Sequence, residues 1–122
     1  MENDFYIRRD IRLKYKGSEK DVIIPDGVTA IDEKALRGCE TLESVVIPDT
    51  VISIRWGAFS FCKNLRKITI PSSVEFISVS AIEGCTNLTE IVIQDSDCFY
   101  VKDGLIHSKK SPDDVIGTEI VK

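Results

Sequence analysis

A repeat of 23 residues is the feature that most limits what this chain of 122 residues can fold into. Prolines fall at positions 25, 48 and 71, and cysteines fall at positions 39, 62 and 85, so both residue types recur at the same interval. A fixed period of about 20 to 50 residues is typical of solenoids, in which each repeat forms one coil that stacks on its neighbours. The sequence therefore predicts a stack of short coils rather than a closed globular core.

Each repeat opens with a short apolar strand that ends at proline, which has no amide hydrogen for a ladder and suits a corner. Side chains two positions apart share one face of a strand, so alternate residues are predicted to point inward. The inward columns are Val22, Val45 and Ile68; Ile24, Ile47 and Ile70; and, at the strand entrance, Leu42, Leu65 and Leu88. A fourth strand, 90–93, keeps the register with Gln94 in place of proline.

The second half of each repeat follows the corner with a further short extended piece, Val28-x-x-Ile31 in the first repeat. Ala35-Leu36 and Gly38-Cys39 come next, and their counterparts recur in the later repeats. This segment is too short for a full helix, so one helical or 3₁₀ turn is predicted. Thr41, and asparagine at the equivalent later positions, is expected to turn the chain back into the next strand.

The chain ends are predicted to cap the stack, because an uncovered strand edge invites aggregation. Residues 1–20 are interpreted as an amino-terminal β-hairpin cap that turns at Arg9-Asp10, residues 21–94 as three repeats plus a fourth strand, and residues 95–122 as a carboxyl-terminal hairpin cap and tail. Asp103-Gly104 is a strong hairpin-turn signal. Beyond it, residues 109–114 are expected to form a polar turn, and Val115-Ile116 resembles the Val22-Ile23 that opens the repeats.

The charge and hydropathy patterns exclude some partners. The net charge is −4, and no basic cluster exceeds Lys109-Lys110, so nucleic acid is not an expected partner. No apolar run approaches the roughly 20 residues that span a bilayer, so no membrane span is expected. The amino end is acidic and carries no signal-peptide pattern. Taken as written, the chain is expected in the cytoplasm; as a fragment of an exported protein, it would belong at the cell surface.

The four cysteines do not have the spacing of a zinc or redox motif. They lie at positions 39, 62, 85 and 98, and no two are close enough to form C-x-x-C. Three of them occupy the same position in successive repeats, which favours a column of small buried thiols. A disulfide between stacked neighbours and a metal site are the alternatives.

Few residues could support catalysis. His107 is the only histidine, and Asp95/Asp97 and Asp113/Asp114 lie in turn-rich stretches where solvated carboxylates are the simplest interpretation. We therefore expect no enzyme activity, no cofactor and no metal.

The repeated run I-P-x-x-V-x-x-I-x-x-x-A-[FLI]-x-[GF]-C-x-x-L-x-x-[VI]-x-I-P resembles the BspA-like class of leucine-rich repeats, over Val22 to Ile93. The fold class that follows is an α/β repeat solenoid: a short right-handed coil with a parallel β-sheet, short second strands, helical or 3₁₀ turns and β-hairpin caps at both ends. The family is mostly bacterial, often found at the cell surface, and associated with protein binding and adhesion. Asp32, Arg55 and Ser78 depart from the glycine usual in the family, which affects the local turn.

These features together predict a non-catalytic protein-binding or scaffolding module, whose partner is another protein or a second copy of the chain. The alternatives are a fragment of a bacterial cell-surface adhesin-type repeat protein and a thiol-based redox sensor. Two sets of side chains compete as the binding surface: Ile23, Val46, Thr69 and Val92 on the outward side of the main strands, and Ile52, Trp56, Phe61, Phe76 and Val79 at non-core positions. Strand preference explains the first set equally well, and overflow from the core explains the second.

Overall fold

The computed structural model describes residues 5–7, 12–15, 17–110 and 115–117, and this part of the chain forms strands and turns without a helix. The strands are, in chain order, β1 (Phe5–Ile7), β2 (Arg12–Tyr15), β3 (Asp21–Ile23), β4 (Ala30–Ile31), β5 (Ser44–Val46), β6 (Ser53–Ile54), β7 (Lys67–Ile70), β8 (Phe76–Ile77), β9 (Glu90–Ile93), β10 (Phe99–Lys102), β11 (Leu105–Ser108) and β12 (Val115–Ile116).

The main sheet is parallel and contains one strand from each coil, in the order β3-β5-β7-β9. Its register follows the sequence period: Val22 pairs with Val45, Val45 with Ile68, and Ile68 with Ile91. Coil 1 (21–43), coil 2 (44–66) and coil 3 (67–89) are therefore complete turns of a β-solenoid, and β9 opens a fourth. This confirms the predicted repeat architecture.

A second sheet runs beside the first and extends further at the amino end. Its strand order is β1-β2-β4-β6-β8. Strands β4, β6 and β8 stack in parallel at the 23-residue interval, and β2 continues them by pairing Leu13 with Ile31. The antiparallel pair β1-β2 is the predicted amino-terminal hairpin, attached to the edge of this sheet. The expected turn at residues 9–10 lies outside the described residues.

The carboxyl end forms a third, antiparallel sheet, β10-β11-β12. Asp103 and Gly104 both have positive φ, 56° and 76°, as a two-residue hairpin turn requires. Strand β12 pairs with β11 through Ile106 and Ile116. Val115-Ile116 therefore does not continue the main sheet, despite its resemblance to Val22-Ile23. The polar turn expected up to residue 114 lies partly outside the described residues, as do Asp113 and Asp114.

The predicted inward columns form the core. Leu42 and Leu65 are fully buried, and so are Val45 and Ile68 in the adjacent column. In the last strand Leu88, Ile91 and Ile93 are only partly buried, although they pack against the same core. The difference arises because coils lie on both sides of the central residues, whereas no described coil follows β9.

The predicted helical or 3₁₀ turn is wrong in detail. In coil 1 the amides of Ala35, Arg37 and Cys39 donate to carbonyls three residues back, which is the bonding of a turn. The amides between them donate instead to coil 2: Lys34 to Trp56, Leu36 to Ala58, and Gly38 to Ser60. Since every second amide bonds the next coil, consecutive helical bonds cannot form, and the segment is a run of turns.

Candidate interaction surfaces

The outward face of the main sheet carries the first predicted set of side chains as a continuous ladder. Ile23, Val46, Thr69 and Val92 are direct cross-strand neighbours, and we call them the outer column. Ile23 is 74% exposed and Val46 41%, whereas Thr69 and Val92 are partly buried. The structure thus brings all four together on one accessible face.

A polar column lies beside the outer column and is paired along its length. The Ser44 hydroxyl donates to Asp21 Oδ1 at 2.6 Å. The ammonium of Lys67 lies 3.6 Å from the Glu90 carboxylate. At the strand entrance, Arg66 donates to Glu43 at 3.2 Å. These pairs are largely exposed, so each contributes at most about 1 kcal/mol; their main effect is to match the charges of neighbouring strands.

The second predicted set lies on the second sheet and its adjoining turns. Ile52, Trp56, Phe76 and Val79 are all exposed, and we call them the corner patch. They come from the neighbouring coils 2 and 3: the Phe76 amide donates to the Ile52 carbonyl, and Val79 occupies in coil 3 the position of Trp56 in coil 2. Overflow into the core therefore does not describe these four side chains.

Coil 1 holds Trp56 in position. The Lys34 ammonium lies 4.8 Å from the centre of an indole ring, within cation–π range. The Lys34 amide also donates to the Trp56 carbonyl at 3.1 Å. Sequence reasoning did not single out Lys34. Its position in the preceding repeat could have indicated the contact, because the 23-residue period places Lys34 next to Trp56 when the coils stack.

Phe61 belongs to the turn rather than to the corner patch. It is partly buried, and its φ of 60° is in the left-handed region, where the equivalent positions carry Gly38 and Gly84. Its ring packs on Gly84 of coil 3, and the guanidinium of Arg37 in coil 1 lies 5.0 Å from the ring centre. Phe61 thus links coil 1 to coil 3, a role that its apolar character did not indicate.

The cysteine column is built into the core. The Cys62 thiol donates to the Leu36 carbonyl at 3.1 Å, and the Cys85 thiol donates to the Phe59 carbonyl at 3.0 Å. The hydrogen-bonding contact with the neighbouring Cys85 thiol, together with burial, raises the pKa of Cys62. Both thiols are fully buried, Cys39 is half-buried, and all four cysteines are free. Each of these two buried thiols therefore serves as the hydrogen-bond donor to a carbonyl of the preceding coil.

The remaining polar candidates are dispersed. His107 stacks on Tyr100, its cross-strand neighbour, with ring centres 5.1 Å apart. Asp32, one of the residues that depart from the family glycine, is buried, and its Oδ1 accepts a hydrogen bond from the Glu33 amide at 2.8 Å. Ser78, at the equivalent position in coil 3, accepts from the Ser80 amide. Within the described residues, no three His, Cys, Asp or Glu side chains are grouped so as to hold a metal ion.

The described part of the chain also contains no helix that is long and apolar enough to cross a membrane.

Two solved structures are similar to the chain. One is a leucine rich cell surface protein from Faecalibacterium prausnitzii A2-165, with 23% identity over 76% of this chain and 38% of that chain, and a TM-score of 0.36. The other is a leucine-rich repeat protein from Eubacterium ventriosum ATCC 27560, with 17% identity over 86% of this chain and 45% of that chain, and a TM-score of 0.38. The chain spans less than half the length of either protein.

A comparison with curated proteins gives no significant match. The family comparison matches residues 12–111, most of the chain, to the BspA type leucine rich repeat region in six copies. This match extends beyond the repeats recognised in the sequence: it includes strand β2 of the amino-terminal hairpin and both strands of the β10-β11 hairpin. The chain belongs to the BspA type leucine-rich-repeat family.

Proposed function

We propose that this chain is a non-catalytic module that binds another protein through the corner patch. The observation that carries the proposal is the exposure of four large apolar side chains in two adjacent coils: Phe76 55%, Val79 54%, Trp56 47% and Ile52 43%. The inward residues of the same coils are almost completely buried. Apolar side chains grouped at the surface around an aromatic residue are a common basis for protein interaction sites.

Trp56 is suited to be the anchor of such a site. Lys34 restrains it through the cation–π contact and the backbone hydrogen bond, so little side-chain freedom is lost when a partner covers it. The ammonium of Lys34, which lies over the indole ring, also remains accessible, because Lys34 itself is exposed. A partner that covers Trp56 with apolar groups and places a carboxylate beside Lys34 would match both features.

The proposal is tested by comparing two variants in affinity capture from source cells. Trp56→Ala combined with Phe76→Ala removes both aromatic side chains of the corner patch. Ile23→Ser removes the most exposed residue of the outer column. We expect the double variant to lose, and Ile23→Ser to retain, a partner that wild-type protein captures, with both variants folded by circular dichroism. Loss in Ile23→Ser alone would assign binding to the outer column.

The outer column is the second candidate surface, because Ile23 is the most exposed large apolar side chain described. A β face with a paired polar column beside it suits a scaffolding contact. The affinity capture just described separates it from the corner patch.

The two alternative functions, a redox sensor and a cell-surface adhesin, can be tested separately. For a redox sensor, a thiol should react rapidly in the native protein; the burial and hydrogen bonding of Cys62 and Cys85 favour slow reaction until unfolding. Thiol titration of native and unfolded protein distinguishes a reactive sensor thiol from a buried structural one.

For an adhesin-type protein of the cell surface, protease added to intact source cells should remove the chain, whereas a cytoplasmic chain would survive until lysis.

A further inference from the structure

The last strand of the main sheet, β9, differs from its equivalents in earlier coils. Leu88, Ile91 and Ile93 are partly exposed, whereas Leu65, Ile68 and Ile70, which lie 23 residues earlier at the equivalent positions, are buried. Strand β9 pairs with β7 on one side, and no described strand lies on the other. The strand therefore combines a backbone edge with apolar side chains that are incompletely covered.

The ladder determines which backbone groups face this edge. The amides of Ile24 and Ile47 donate to the following strand, so the equivalent Ile93 amide points away from β7. The Gln94 amide donates back to Ile70 at 3.0 Å. Since the direction alternates along a strand, Ile91 and Ile93 both present their amide and carbonyl groups at the edge. Their side chains also point inward, so the same two residues offer hydrogen bonds and apolar surface.

The edge has few of the features that usually prevent pairing. The three preceding strands are followed by proline, whereas β9 is followed by Gln94. The opposite edge, β3, has two exposed charged residues, Lys20 and Asp21, whereas β9 has one, Glu90, which is already paired with Lys67. Charges and proline are the common means of protecting an edge strand. Of the two edges of the main sheet, β9 is the less protected.

There is also space beside the edge. A groove of about 420 Å³ is lined by Leu88, Thr89, Glu90 and Ile91 on one side and by Val101 and Gly104 of the carboxyl-terminal hairpin on the other. The hairpin approaches β9 without filling the space next to it. This groove can receive side chains of an added strand.

We propose that β9 pairs with β9 of a second copy in antiparallel orientation, about a two-fold axis through Val92, to form a dimer. In this register Ile91 lies opposite Ile93 of the second copy, and each pair exchanges two backbone hydrogen bonds. Val92 faces Val92 of the second copy on the outward side. Glu90 faces Gln94 of the second copy, whose side-chain amide can donate to the carboxylate.

The side chains favour this register over the symmetric register centred one residue earlier, at Ile91. A two-fold axis at Ile91 would place Ile93 opposite Thr89 of the second copy, whose amide already donates to Arg66. It would also place each Glu90 opposite Val92 of the second copy, which leaves the carboxylate beside an apolar side chain. The axis at Val92 pairs apolar with apolar and polar with polar residues. The same matching occurs inside the chain, where Lys67 lies beside Glu90 and Ser44 beside Asp21.

A parallel stack of β9 on β3 of another copy is less favourable. The 23-residue register would bring Asp21 of one copy next to Glu90 of the other, and like charges opposite each other destabilise a strand pair. The antiparallel dimer closes on itself and joins two main sheets into one of eight strands, with the two outer columns continuous across the axis. It leaves the corner patch free, so the dimer does not depend on the binding proposed above.

The association is tested by sedimentation equilibrium of the whole chain over a range of concentrations. Ile93→Pro removes the amide that faces the edge and no hydrogen bond of the β7–β9 ladder. Ile23→Pro is the matched control, because its amide faces the opposite edge of the sheet in the same way. We expect a monomer–dimer equilibrium for wild type and Ile23→Pro, and a dissociation constant about 10- to 100-fold higher for Ile93→Pro. A monomer at all concentrations, or open-ended oligomers, would overturn the proposal.

Cross-linking tests the register and remains informative if Ile93→Pro fails to fold. Residues that face each other without exchanging hydrogen bonds in antiparallel strands have Cα atoms about 4.5 Å apart, within the range for a disulfide. In a Cys39→Ser background, Val92→Cys should form a disulfide-linked dimer on mild oxidation, and Thr69→Cys, one strand further in, should not. Equal cross-linking by both variants, or none by Val92→Cys, would contradict the register about Val92.

Discussion

The ring of Phe61 rests on the α-carbon of Gly84, its equivalent one coil later. A Cβ added at Gly84 would lie 2.7 Å from Phe61 Cε1, and Gly84 itself has a φ of 77°. Phe61 takes a left-handed backbone conformation that is uncommon for a large side chain. The aromatic ring is therefore accommodated only because the position beneath it has no side chain.

Gly84→Ala should lower the free energy of unfolding by about 2–4 kcal/mol, since it adds a steric overlap with the ring to an unfavourable φ. Gly38→Ala is the control: it has a similar φ of 73° but nothing within 4 Å of the added carbon, so only about 1 kcal/mol should be lost. Denaturant unfolding of both variants measures the difference. Equal losses would show that contact with Phe61 contributes nothing.

Leu65→Ala should cost about 2–5 kcal/mol, because Leu65 is fully buried in the central coil with neighbours on both sides. Lys67→Ala, two residues along and outward, should change stability by less than about 1 kcal/mol, since its ion pair with Glu90 is largely exposed. Chemical denaturation provides both values. A loss of less than half a kcal/mol for Leu65→Ala would contradict the inward column.

Trp56→Ser should leave the fold intact and cost about 1 kcal/mol, chiefly from the cation–π contact with Lys34 and the covered part of the ring. The native protein should show the red-shifted tryptophan fluorescence of a solvated indole, because Trp56 is the only tryptophan and is 47% exposed. Fluorescence and thermal melting check both points. Blue-shifted native emission with a loss of several kcal/mol would place Trp56 in the core.

The Cys62 thiol should make a contribution to stability that is lost at alkaline pH. Its pKa is raised in the folded protein, so the unfolded chain releases this proton first. The contribution is fully retained below the unfolded pKa of about 8.5 and is lost above it, at up to about 1.4 kcal/mol per pH unit. Cys62→Ser keeps a donor for the Leu36 carbonyl without the titration, and its free energy of unfolding should fall less between pH 8 and pH 9.5. Parallel profiles for the two proteins would count against a raised pKa.

The repeat made the coil architecture predictable, because each inward position recurs in three successive repeats of the sequence. Val45 and Ile68, for example, are assigned to the same column by spacing alone, and both are buried. The Asp103-Gly104 hairpin was equally clear, since its turn chemistry is local. The turn segments were harder. Whether the Leu36 amide bonds within its own coil or to Ala58 depends on the neighbouring coil, which no local pattern encodes.

The candidate surfaces were predictable in position but not in contacts. Ile52 and Phe76 were identified because they fall outside the repeated core positions, and both are exposed. Phe61 was grouped with them on the same ground, yet it packs on Gly84, which depends on a backbone conformation that a phenylalanine rarely adopts. The cations beside Trp56 and Phe61 come from the previous coil, so their contribution appears only when the coils are stacked.

The constant register of both sheets has a practical consequence. Because Pro48 and Pro71 occupy equivalent corners, the segment between them can be duplicated without altering what either hairpin contacts. Each inserted copy would lengthen the stack by about 4.8 Å, the spacing of neighbouring strands. The distance between the two hairpins could therefore be increased in equal steps by adding whole repeats.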